Sequence, residues 1–204
     1  MFRLKRSPLP RQYTVVRSPP PSAPRECPTP LLFVSSKWDP HSVHGIDKLA
    51  TTLSTKGFTC IHSNLTPLSS NDSTALMNGF VSELKSELRM SGHGSFFPPV
   101  IIGRSAASLI VQAYISSNPV SAMLLMGDIP VTNADVPKTF LPTPLDEFNF
   151  EPKFPIALLA TSTQMERLAD HRLVRAGVQT YTTDDLDGED ALLKIESWLD
   201  VLGI

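Results

Sequence analysis

Gly103-Arg104-Ser105-Ala106-Ala107 is the segment of this chain whose residue types and spacing could do chemistry. The apolar run Pro99-Val100-Ile101-Ile102 precedes it, and a helical pattern follows it. A strand, a turn with a serine at its apex and a helix form a nucleophile elbow, in which G-x-S-x-G exposes the serine hydroxyl on a sharp turn. Small residues flank such a serine because the strand and the helix pack closely. Ser105 is therefore a candidate nucleophile, although Ala107 stands where the second glycine usually is.

The alternative interpretation of this segment is structural. A Gly-x-Ser-x-small pentad is common by chance, and Ser105 could simply cap the following helix. What favours the elbow is its context, because strand-helix units are predicted on both sides of it.

Apolar runs and helical periodicities alternate along the rest of the chain. They predict strands that start near residues 31, 58, 99, 121, 155 and 178, with helices between them, including one helix over 165–176. Such alternation indicates parallel pairing with right-handed crossovers, and continuous apolar strands indicate a sheet covered on both faces. We therefore expect an α/β fold with a mostly parallel, doubly wound sheet. The proline-rich stretch 129–155 lacks a helical period, so we expect an irregular loop there and no cap domain.

Composition narrows the class of protein. The chain has 204 residues, of which 41% are hydrophobic and 19% are charged, as in a globular domain. A net charge of -2 gives no indication of nucleic-acid binding. The two cysteines have the spacing of neither a disulfide framework nor a metal site, and we expect no metal or other cofactor. No apolar run approaches the ~20 residues of a membrane span.

The first 30 residues differ from the remainder. An Arg-rich leader without acidic residues is typical of a mitochondrial transit peptide, and the segment Arg11–Thr14 resembles a matrix processing site. The alternative is a disordered basic tail, because several prolines weaken the amphipathic helix that import needs. We expect residues 1–30 to pack against nothing and to direct import into the mitochondrial matrix, and residues 31–204 to form the domain. The basic residues before Glu26 are Arg3, Lys5, Arg6, Arg11, Arg17 and Arg25.

The elbow and the order of elements over about Leu31–Ile204 resemble the α/β-hydrolase family of serine esterases and lipases. Such enzymes need a nucleophile, a histidine base, a carboxylate that orients the base and two N–H donors for the oxyanion. The resemblance implies that the N–H of Ala106 is one oxyanion donor. The loop after the first strand would supply the other, from Lys37 or Trp38. There this chain has two serines where the family often has His-Gly.

The triad implied by the resemblance is incomplete. The family places its histidine between the last strand and the last helix, and the loop 182–188 contains none. His41 and His44, after the first strand, and His62, at the end of the second, are weak candidates for a relocated base. The alternative for each is a surface or helix-cap histidine. The acid position falls near a glutamine, so Asp128, after the fourth strand, is the candidate acid, with a turn residue as its alternative.

Two functions remain open. One is a hydrolase-like protein without turnover that serves as a binding or assembly module, with a protein partner. The other is a serine esterase or thioesterase that uses Ser105, a relocated histidine and a small acyl or ester ligand. The missing histidine favours the first and the retained elbow favours the second, and a fold by itself does not decide between them.

Overall fold

The structure of the protein, a computed structural model, describes residues 13–67, 69–92, 97–130 and 140–204. In this part of the chain seven strands form one sheet. They are β1 (Tyr13–Arg17), β2 (Cys27–Ser36), β3 (Phe58–Leu65), β4 (Val100–Arg104), β5 (Ala122–Met126), β6 (Ile156–Ala160) and β7 (Gln179–Thr182). Their order is β1-β3-β2-β4-β5-β6-β7, and every pairing is parallel except that of β1 with β3. The predicted mostly parallel sheet is confirmed, with the strand before Ser105 at its centre.

Helices cover both faces of the sheet, and a short 3-10 helix, Pro40–Val43, follows β2. The α-helices are α1 (Ile46–Thr55), α2 (Ser73–Ser91), α3 (Ala107–Ile115), α4 (Ser162–Arg167), α5 (Arg172–Arg175) and α6 (Glu189–Val201).

Each face of the sheet has its own apolar core because side chains alternate along a strand. On β4, Ile101 joins the core under α2 and α3, with Phe80 of α2, whereas Ile102 joins the core under α1 and α6, with Trp198 of α6. These four side chains are at most 1% exposed. Burying each contributes about 1.5–3 kcal/mol or more for the larger rings, so the two cores hold the sheet edge rigidly for the site described below.

The N-terminal boundary differs from the expectation. Tyr13–Arg17 is strand β1, antiparallel to β3, with Val15 opposite His62. Arg17 Nη2 also donates a 2.8 Å hydrogen bond to Asp47 Oδ1 on α1. The expectation that residues up to 30 pack against nothing is therefore wrong from Tyr13 onward, and the first residues of β2 also precede residue 31. The five-residue edge strand was not predicted from the sequence because prolines and charged residues flank it. Residues 1–12 of the expected leader lie outside the described residues.

The helix expected over 165–176 is two short helices. A capping box between Thr161 and Gln164 starts α4, which ends at Arg167. His171 then starts α5, because its Nδ1 accepts a 3.2 Å hydrogen bond from the Leu173 N–H. The helical period of the sequence is real on both sides, but this local cap restarts the helix. The stretch 140–155 is irregular as expected, and 131–139 lies outside the described residues.

Candidate active site

Ser105 sits at the turn between β4 and α3 in the left-handed backbone region, with φ 54°. Among the described residues it is the one non-glycine residue with a positive φ. A serine pays a conformational penalty there, so its surroundings must hold it. The Ser105 N–H donates to the Met126 carbonyl at 2.9 Å. Gly103 lets α3 approach, since a Cβ on it would lie 2.6 Å from Val111 Cγ2. This is the sharp turn that the sequence predicts.

The Ser105 side chain opens into a cleft of about 540 Å³ at the carboxyl edge of the sheet. Gly127, with φ 79°, leaves room beside the hydroxyl, because a Cβ there would lie 3.7 Å from Ser105 Oγ and 3.3 Å from Leu186 Cδ1. The cleft brings together four of the predicted site residues, His41, Ser105, Ala106 and Asp128. Its lining residues include Asp39, His41, Arg104, Ser105, Ala106, Asp128, Phe140, Gln164 and Leu186.

The candidate bases lie in different places. His41 is exposed and lines the cleft, and its ring lies 5.4 Å from the His44 ring in an edge-to-face contact. His44 contributes its backbone carbonyl, which accepts from Arg104 Nη1 at 2.8 Å. Within the described ranges no hydrogen bond joins Ser105 Oγ to an imidazole. The structure therefore shows a histidine in the cleft but no serine-histidine pair at Ser105.

His62 is buried on β3, at 3% exposure, and does not line the cleft. Its Nε2 lies 2.8 Å from Ser35 Oγ, and in the described structure its Nδ1 is buried without a hydrogen-bond partner. Burial lowers the pKa of His62 from 6.5 to about 4; the Asp47 carboxylate opposes this effect and the Arg17 guanidinium adds to it. This imidazole is a weak base away from Ser105, so it does not serve as the relocated base.

The loop between β7 and α6, where the family carries its histidine, presents other chemistry. Leu186 extends an apolar side chain into the cleft. Asp187 forms an ion pair with Arg104, the residue directly before Ser105. Arg104 is thereby held between the Asp187 carboxylate and the His44 carbonyl. Leu186 therefore lines the cleft beside Ser105, whereas Asp187 pairs with Arg104 and lines a neighbouring pocket with Gly45 and Lys48.

Asp128, the candidate acid, is exposed at the mouth of the cleft. Its Oδ2 accepts a 3.1 Å hydrogen bond from Gln164 Nε2, and its Oδ1 lies 2.7 Å from Arg167 Nη2. Both partners belong to α4, so the carboxylate ties that helix to the end of β5. It holds no imidazole in this structure.

The three N–H groups implied as oxyanion donors all have partners. Ala106 N–H donates to Asp39 Oδ2 at 2.8 Å, Lys37 N–H to the Leu65 carbonyl at 3.0 Å, and Trp38 N–H to Ser36 Oγ at 3.1 Å. The predicted oxyanion hole is therefore not formed in this structure. Trp38 itself is buried, and its indole N–H donates to the Phe140 carbonyl at 3.0 Å. The Trp38 ring packs in the apolar core.

Asp39 is the site residue that the sequence analysis missed. It is 6% exposed, and its two oxygens serve two helix starts. Oδ1 accepts from the His41 N–H at 2.9 Å and caps the 3-10 helix, while Oδ2 accepts from Ala106 at the start of α3. The dipeptide Asp39-Pro40 is a helix-start signal that could have predicted the first contact. The second joins residues far apart in the chain and had no sequence signal.

The described part of the chain shows neither a cluster of metal ligands nor a membrane-spanning helix. There, no group of three or more His, Cys, Asp or Glu side chains is placed to hold a metal ion. None of the helices in the same ranges has the length and apolar character needed to cross a bilayer.

No protein-family model and no curated protein sequence matches the chain. Solved structures do. One is an α/β-hydrolase enzyme from a sediment metagenome of the Mar Chica lagoon, with a TM-score of 0.69 and 12% identity, over 97% of this chain and 99% of that one. A structure from work on carboxylesterases of Nitrososphaera gargenis has a TM-score of 0.64 and 13% identity, over 94% of this chain and 95% of that one. The esterase domain of a Rhodothermus marinus protein has a TM-score of 0.59 and 17% identity, over 93% of this chain and 96% of that one.

Proposed function

We propose that this chain, which has the α/β-hydrolase fold, is a hydrolase-like binding module that does not turn over esters. The observation that carries the proposal is the contact between the Asp39 carboxylate and the Ala106 N–H at 2.8 Å. In a serine hydrolase this N–H stabilises the negative oxygen of the tetrahedral intermediate. Here the Asp39 carboxylate occupies this N–H, so the donor is not available to an oxyanion, and the carboxylate's negative charge would repel one. Loss of one such donor costs about 10²–10³ in rate.

The absence of a serine-histidine pair supports the same proposal. A serine hydroxyl is a weak nucleophile at neutral pH and needs an adjacent base. In the described structure the loop between β7 and α6, where the family carries its histidine, places Leu186 in the cleft and turns Asp187 to an ion pair with Arg104. The two defects act on different steps, since one concerns proton removal and the other charge stabilisation.

The cleft supports a small ligand. Its volume of about 540 Å³ lies in the range of about 300–1,000 Å³ that small-molecule sites occupy. Phe140 and Leu186 line it with apolar surface, while His41 and Gln164 are polar lining residues. Esterases share the fold, so we propose a small acyl or ester compound as the ligand, held without cleavage. We also propose a protein partner, since a module that does not turn over esters would act through binding.

The second candidate function is a serine esterase with His41 as its base. It is favoured by a specific observation, namely that His41, Ser105 and Asp128 line one cleft. Turnover would require the His41 imidazole to approach Ser105 Oγ and the Asp39 carboxylate to leave the Ala106 N–H.

A fluorophosphonate probe separates the two functions. We expect the wild-type chain to label no faster than Ser105→Ala, and to release no product from short-chain aryl esters beyond that variant. Fast, stoichiometric labelling that is lost in Ser105→Ala would refute the binding-module proposal. In that case His41→Gln should abolish labelling, while His44→Gln is the matched control, because His44 contacts His41 but does not line the cleft.

A further inference from the structure

We propose that Asp39 is an autoinhibitory carboxylate, which occupies the oxyanion position of the elbow and masks an oxyanion-binding site made by Ala106 N–H and Ser105. The inference rests on the proposed function, because it explains why the retained elbow is inert. It adds that the site is masked rather than lost.

The first step of the argument is the position of the carboxylate. Asp39 Oδ2 lies at hydrogen-bond distance, 2.8 Å, from the N–H of the residue after the nucleophile. It also lies at the start of α3, where the helix dipole favours negative charge. Like the oxyanion of a tetrahedral intermediate, this carboxylate oxygen is negatively charged and accepts a hydrogen bond from this N–H. Asp39 therefore imitates the species that an elbow stabilises.

The second step is that Asp39 is held in place independently of Ser105. Its backbone N–H donates to the Ser36 carbonyl at 2.9 Å, and its Oδ1 accepts from the His41 N–H at 2.9 Å. Ser42 Oγ accepts from the Ser36 N–H at 3.0 Å and closes the same turn. The loop thus presents a preorganised carboxylate to α3, and the side chain can be changed while the loop keeps its other bonds.

The third step is what a change of side chain does. With Asn at position 39 the negative charge disappears, and one amide oxygen has to serve two N–H groups that now have one oxygen each. With Ser, the hydroxyl can still cap the 3-10 helix but is too short to reach α3. We expect both variants to leave the elbow turn intact. Asp39→Ser frees the Ala106 N–H for a ligand in the cleft, and Asp39→Asn frees it whenever the single amide oxygen accepts from His41.

An arylboronic acid is the probe for the unmasked site. Its boron accepts an electron pair from Ser105 Oγ, so an O–B bond forms, the hydroxyl proton passes to solvent, and boron becomes four-coordinate and negatively charged. One boronate oxygen then accepts from the Ala106 N–H. No bond between boron and its substituents breaks. A missing base would slow formation of the adduct but would not change the equilibrium affinity that the experiment measures. Boron-11 NMR distinguishes the trigonal acid from the tetrahedral adduct.

We expect Asp39→Asn and Asp39→Ser to bind phenylboronic acid about tenfold or more tightly than the wild type, with a tetrahedral boron signal that is lost when Ser105→Ala is added. Asp72→Asn is the matched control. Asp72 Oδ2 likewise accepts from a backbone N–H, that of Ala75 at 2.7 Å, but at the start of α2 and outside the cleft. Its boronate affinity should equal that of the wild type.

Two results would overturn the inference. One is a folded Asp39→Asn or Asp39→Ser variant, shown by thermal unfolding and circular dichroism, that binds the boronate no better than the wild type. The other is a gain in affinity that survives Ser105→Ala. Failure of the proposed function is a separate result, because it is seen in probe labelling of the wild-type chain, where Asp39 is unchanged.

Discussion

Acidification should destabilise this protein through His62, by an amount that follows from its burial. The His62 pKa is about 4 in the folded chain and 6.5 in the reference state that represents the unfolded chain. Between these values the unfolded chain binds a proton that the folded chain does not, so stability falls as the pH falls from about 6.5 to about 4. One pKa unit corresponds to about 1.4 kcal/mol, and the full loss is therefore about 3 kcal/mol. The charged groups facing the ring are Arg17 on β1 and Asp47 on α1.

The assay is urea unfolding of the wild type and of His62→Gln at pH 7, 6, 5 and 4. Gln does not titrate but can still hydrogen-bond to Ser35. Other titrating groups contribute alike to both proteins, so the difference between their free energies of unfolding isolates His62. We expect this difference to shift by about 3 kcal/mol in favour of the variant from pH 7 to pH 4.

Ile61→Val on the same strand is the control. It removes one buried methylene, costs about 0.5–1.5 kcal/mol, and adds no titrating group, so its difference from the wild type should be the same at each pH. A difference between the wild type and His62→Gln that stays constant over this range would refute the reasoning. It would mean that the buried imidazole does not resist protonation.

The remaining predictions concern the elbow and the N-terminus. Gly103→Ala should lower the free energy of unfolding by about 1–3 kcal/mol in urea titration, because its Cβ would lie 2.6 Å from Val111 Cγ2; a loss below about 0.5 kcal/mol would contradict the packing. Deleting residues 1–30 removes β1 and the start of β2 and should give insoluble or unfolded protein, as judged by circular dichroism. We also propose that residues 1–30 direct a fused reporter into mitochondria and that processing shortens it near Arg11–Thr14; a reporter that stays cytosolic at full length would exclude this.

The sequence predicted the sheet better than the site. Five of the seven strands lie where apolar runs place them, since such runs are long enough to be buried whichever elements cover them. The mostly exposed β7 was predicted from its alternating residues instead. β1 was missed because its apolar residues become readable as a strand only when β3 is beside them. The elbow at Ser105 was predicted from local chemistry alone, because its small neighbours are needed for a turn that involves only adjacent residues.

What decides the candidate site is tertiary, and so it could not be predicted in the same way. Asp39 and Ala106 meet because β2 and β4 are neighbours, which brings two helix starts to one edge of the sheet. His62 differs from His41 in burial rather than in any local motif. The loop 182–188 is the exception, since the absence of a histidine there was visible in the sequence and is matched in the structure by Leu186 in the cleft.

The place of β1 in the sheet has a consequence for synthesis of the chain. β1 is made first, but its partner is complete only when Leu65 has left the ribosome. At about 5–20 residues per second, roughly 2–10 s separate the two events. During that interval the residues of β1 have no strand to pair with and are accessible to any factor that binds the nascent protein. Once β3 has folded, Tyr13–Arg17 is withdrawn into the sheet.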